Sequence, residues 1–108
     1  MTASRIEKIQ RMLEEDPHDT FLRYSLALEQ EKMGEFVASE AGLQSLMSDE
    51  PPYVPAFFML AQQLVNRERV EEARTILRAG IEQARGQGNA HAAGEMSEFL
   101  QSLAEFGE

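Results

Sequence analysis

The sequence predicts an all-α fold, an α-solenoid of antiparallel helix pairs with about six helices, on three observations. First, the chain repeats itself at a spacing of 34 residues: Pro17 aligns with Pro51, Leu26 with Leu60, Ala27 with Ala61, Phe36 with Val70, and Leu43 with Leu77. Two columns run through three copies, Ile9 with Leu43 and Leu77, and Leu13 with Met47 and Ile81. Second, apolar residues recur at helical spacing, and no window alternates at period two for long enough to make a strand. Third, Pro, Gly and Asn stand where such helices would start or stop.

Taken in order, the first helix is expected over 4–15, opened by the capping box Ser4-x-x-Glu7. Helices follow over 20–33 and 36–48, with Gly34 at the turn between them. The next are expected over 55–66, with Pro55 in the first turn, over 70–85, and over 90–104, with Asn89 as N-cap. Gly86 and Gly88 absorb a lengthened last period: a shift of 36 lays Ala93 on Phe57, Met96 on Leu60, Ser97 on Ala61 and Leu100 on Leu64. The chain therefore divides, within one domain over 1–108, into a half-repeat helix (4–15), a first repeat (20–53), a second repeat (54–88) and a capping helix (89–106). Large residues beside small ones at fixed columns encode helix pairing. A small residue lets two backbones approach, and the large neighbours fill the space alongside.

The order of these columns resembles the tetratricopeptide repeat, whose pattern runs aromatic, Leu-Gly, Tyr, then Ala, Phe and Pro. In the second copy Phe57 takes the early aromatic position, Leu60-Ala61 the large-small pair, Leu64 the next large position, and Ala73 with Leu77 the later small-large step. Glu68 replaces the inter-helix Gly. The first copy has Leu26-Ala27, Gly34, Phe36, Ser39, Leu43, Leu46 and Pro51, but Arg23 stands where the aromatic belongs and Gln30 where the Tyr belongs. In the half repeat, Ile9, Met12 and Leu13 align with Leu43, Leu46 and Met47. The resemblance spans nearly the whole chain and implies a right-handed α-solenoid that serves as a polypeptide-binding module.

Composition narrows the partners. Ten Lys and Arg face 19 Asp and Glu, a formal charge of −9, so phosphate backbones and anionic lipid surfaces are repelled and neither nucleic acid nor membrane is expected. Residues 1–50 carry −6 of this charge and residues 51–108 carry −3, which would steer a basic partner toward the first half. The absence of Cys removes disulfides, thiolate nucleophiles and Cys-ligated zinc. The start lacks the apolar core of a signal peptide, and the longest nearly apolar run, 54–61, is far too short to span a bilayer, so a cytoplasmic protein is expected.

Chemistry has few footholds. His18 and His91 are the only imidazoles; His91-x₃-Glu95 places two ligand types on one helical face, too few for a tight metal site. Glu14-Glu15-Asp16 reads as a solvated helix exit before Pro17, and Arg85-Gly86-Gln87-Gly88-Asn89 reads as a turn. Glu71 and Glu72 diverge by about 100° around a helix, so they cannot converge on one substrate. No serine lies in a nucleophile elbow and no Gly-rich loop follows a strand. No catalysis, metal or cofactor is expected.

The resemblance implies that the first helix of each pair lines a concave groove. In this chain that face comprises Phe21, Tyr24, Leu28 and Glu31, and, 34 residues on, Pro55, Phe58, Gln62 and Val65; His91, Glu98 and Gln101 would extend it onto the last helix. Tyr24 and Phe58 fall in register and would cradle a peptide or amphipathic helix, unless neighbouring helices or the chain's own tail bury them. The Lys, Arg and Asn set with which some members of the family hold a terminal carboxylate is missing from the stripe, so that mode is not expected. The alternative is a self-assembling structural unit, a homo-oligomer in which another copy covers the groove or an open end formed by Met96, Phe99, Leu100 and Phe106.

Overall fold

The computed structural model describes residues 4–107, with side chains through Ala104. It is all-helical: α1 (Arg5–Glu15), α2 (Thr20–Lys32), α3 (Phe36–Met47), α4 (Val54–Asn66), α5 (Val70–Gly86) and α6 (Ala90–Gly107). No strand occurs among the described residues. The expected limits hold within a residue except at the end, where α6 runs on to Gly107. The chain forms two compact units, Met1–Pro51 and Pro52–Glu108.

In the first unit α2 packs against both α1 and α3. Ser4 caps α1 as its sequence demands: the Glu7 amide donates to Ser4 Oγ at 3.1 Å, and the Ser4 amide donates to Glu7 Oε1 at 3.0 Å. Asp19 opens α2 by accepting from the Leu22 amide at 2.8 Å. Small residues set the α2–α3 approach. Ala27 and Ser39 are buried, Ser39 Oγ donates to the Ala27 carbonyl at 2.6 Å, and a Cβ added at Gly42 would touch Ala27 Cβ at 3.6 Å. Leu43 and Leu46 fill the remaining space and Ile9 comes in from α1. Met12 departs from its column. It is 50% exposed whereas Leu46 is buried, and α1 packs less extensively on α2 than α3 does.

In the second unit α5 lies between α4 and α6 and packs extensively on both. Pro55 occupies the first turn of α4, where its missing N–H leaves no bond unmade. The core joins Phe57, Leu60, Ala61 and Leu64 of α4 with Ala73, Leu77, Ile81 and Ala84 of α5 and Ala93, Met96 and Leu103 of α6. Gly80 is the point of closest approach: a Cβ there would sit 2.6 Å from Phe57 Cβ and 2.7 Å from Met96 Sδ, so only glycine admits both neighbours. The buried Arg74 ties α5 to the end of α6, donating from Nη2 to the Leu103 carbonyl at 2.7 Å. Asn89 caps α6 as expected, accepting from the Ala92 amide at 3.1 Å.

Three turns share one geometry. At α2–α3, α4–α5 and α5–α6 the residue after the C-cap takes positive φ: Gly34 at 80°, Glu68 at 62° and Gly88 at 77°. Each time the next amide reaches back five residues at 2.8 Å, from Glu35 to Gln30, Arg69 to Leu64 and Asn89 to Ala84. This is the Schellman closure, which satisfies carbonyls the helix leaves over. Glu68 thus adopts the left-handed conformation of the Gly it replaces.

Candidate functional site

The two expected stripes keep their helical registers. On α2, Phe21 is 71% exposed, while Tyr24, Leu28 and Glu31 are half-buried. On α4, Pro55 is exposed and Phe58, Gln62 and Val65 are half-buried. None of the eight enters the buried core, so each stripe is a half-open helix face. Phe58 is supported within its own unit: its ring lies 5.5 Å from that of Phe99 on α6, tilted by 49°. The residues proposed to extend the stripe, His91, Glu98 and Gln101, are exposed on α6.

Met96 is the clear correction. Expected at an open end available to another copy, it is instead fully buried, in the position its alignment with Leu60 implies. It sits against Gly80 of α5, which leaves room for the thioether. Phe99 and Leu100 are half-buried, and the Phe106 side chain lies outside the described residues.

The charged candidates are structural pairs. Glu71 accepts from Arg74 Nη1 at 2.7 Å on both carboxylate oxygens, and Glu72 accepts from Arg69 Nε at 2.7 Å. These bonds hold each carboxyl below its ordinary value of 4.5, as the capping bonds from Ser4 do for Glu7. A carboxyl kept ionised in this way is a poor general acid. His91 Nε2 lies 3.6 Å from Glu95 Oε1, as its spacing implied, and both are exposed. Among the described residues no three His, Asp or Glu converge as metal ligands, and no helix is long and apolar enough to cross a membrane.

A second exposed surface lies outside the expected stripes. Met33, Phe36 and Val37 flank the α2–α3 turn and are 68%, 45% and 86% exposed. Met33 and Val37 belong to no apolar column, since a shift of 34 pairs them with Arg67 and Glu71. That mismatch was the available signal: hydrophobes outside the repeat's packing code have no core position to fill.

No family model matches the chain, and no curated protein matches it. Its fold is similar to the solution structure of protein BPP2914 from Bordetella parapertussis, with a TM-score of 0.80 and 23% identity over 96% of this chain and 90% of that one. At that identity the likeness concerns the all-α fold alone.

Proposed function

We propose that this chain is a tetratricopeptide-type, non-catalytic, cytoplasmic scaffold that binds a peptide or amphipathic helix on the α2 stripe of its first unit. The observation that carries the proposal is the state of the α2 face. An aromatic residue with 71% of its surface in water, Phe21, shares a face with half-buried Tyr24 and Leu28, at the spacing the family uses for ligand contact. Large aromatics held on a rigid helix contribute contact area with little ordering loss, which is why they anchor interfaces. The ion pairs that hold Glu71 and Glu72 support the non-catalytic reading, because those carboxylates already serve the helix.

Capture from native lysate by the wild-type chain and by the Phe21→Ala, Tyr24→Ala double variant is the direct test. Phe21 is mostly exposed and Tyr24 half-buried, so the two proteins are compared at matched folded fraction, where the variant is expected to bind the captured polypeptide more weakly by about 2 kcal/mol or more. Undiminished capture by the folded variant removes the α2 stripe from the binding surface.

A further inference from the structure

The α2–α3 corner of the first unit combines three features. Its apolar side chains, Met33, Phe36 and Val37, stand in water beside one another in sequence, on the C-cap of α2 and the first turn of α3. Next to them lies a cleft of about 190 Å³ lined by Ser4, Arg5, Ile6, Glu29, Met33 and Glu35. The corner is also acidic: residues 29–40 hold four glutamates and one lysine, and with Arg5 of the cleft wall counted the net charge is −2.

The corresponding corner of the second unit shows that the fold requires none of this. There, residues 63–74 hold three acidic and three basic residues, a net charge of zero, and Arg67, Val70 and Glu71 take the places of Met33, Phe36 and Val37. Arg67 donates to the Gln63 carbonyl at 2.9 Å and Glu71 pairs with Arg74, so polar side chains serve the same turn. Met33 and Val37 of the first unit are therefore surplus to its turn.

We propose that this corner is a second docking surface, for a basic amphipathic helix that seats apolar residues on Met33 and Val37, inserts one into the cleft beside Ile6, and places Lys or Arg over the acidic rim at Glu35. Charge selects this occupant. A second copy meeting the corner through two-fold symmetry would set the same acidic rim against itself, with −9 on each chain. The Glu29 carboxylate at the cleft is already held by Arg5 Nε at 2.7 Å and Lys32 Nζ at 3.4 Å, which leaves Glu35, exposed and making no capping bond, to meet an incoming cation.

The test is an NMR titration of the ¹⁵N-labelled chain with two synthetic helical peptides that share a leucine face and differ in carrying Lys or Glu on the other. The Lys peptide is expected to shift the amides of residues 33–37, and the Glu peptide to bind about tenfold more weakly or worse. Met33→Ser with Val37→Ser is expected to weaken the Lys peptide by about tenfold at an unchanged thermal midpoint, since both side chains are mostly exposed. Glu35→Gln is expected to flatten the salt dependence. Phe21→Ala is expected to leave this binding unchanged, which separates the corner from the α2 stripe. Absence of shifts at 33–37, equal binding of both peptides, or concentration-dependent self-association through the same amides overturns the proposal.

Discussion

The α2–α3 and α4–α5 hairpins carry the same 34-residue template and solve its packing with opposite chemistry. In the second, Phe57 of α4 is buried against α5, and the space for it comes from Gly80. In the first, the same two positions are Arg23 and Leu46. Leucine fills the α3 side, and the α2 side is closed by a guanidinium. Arg23 donates to Asp49 at 2.6 and 3.2 Å and to Ser45 Oγ at 2.9 Å. One hairpin is closed by volume and the other by directed polar bonds. A repeat column therefore specifies that two helices must meet, and leaves open whether an aromatic ring or an ion pair joins them.

The largest expected effect breaks that symmetry directly. Phe57→Ala removes a buried aromatic and leaves a cavity between helices, so a loss of about 3–5 kcal/mol is expected. Arg23→Ala removes a partly exposed pair, with side-chain exposures of 20% and 32%, for which about 1 kcal/mol is expected, shrinking as salt is raised. Denaturant midpoints of the two variants at low and high salt measure the contrast. Equal losses, or a salt-dependent Phe57→Ala, would show that volume and charge do not divide the hairpins in this way.

A smaller effect sharpens the comparison at the turns. Gly34 and Glu68 occupy the same column and the same left-handed conformation, but only the glutamate has a Cβ to strain. Glu68→Gly is expected to raise stability by about 1 kcal/mol, net of the greater freedom glycine gains in the unfolded chain. Thermal unfolding checks the sign, and an unchanged or lowered midpoint would mean that Glu68 carries its conformation without strain.

The smallest effect is one of pH. Bonds from Arg74 lower the carboxyl of Glu71 in the folded state, so whatever stability this contributes is present above the ordinary value of 4.5 and is lost as pH falls through the lowered folded value. Arg74→Met is expected to raise the Glu71 titration midpoint toward 4.5 and to leave Glu72, which is held by Arg69, where it was. Side-chain NMR titration distinguishes the two residues; a Glu71 midpoint unmoved by the substitution would dissociate it from Arg74.

The helices are legible in the amino-acid order, because their signals are local. Ser4 and Glu7, Asn89, Pro55 and Gly34 act on backbone groups within a few residues of themselves, and the structure uses each as its spacing implied. The buried columns at Ala27 and Ala61 and at Leu43 and Leu77 were legible for the same reason: periodicity reports which face of a helix packs. How each column is filled, and which apolar residues stay in water, depends on contacts between helices. The bond from Arg23 to Asp49 spans 26 residues, and that from Arg74 to the Leu103 carbonyl spans 29, so no local pattern announces either. Met96 changed from an open end to a buried core residue because Gly80, on a different helix, makes room for its sulfur. Met33 and Val37 remain exposed because no helix of their own unit covers the turn that carries them. Burial depends on which surfaces meet, and that is a property of the folded chain rather than of any segment of it.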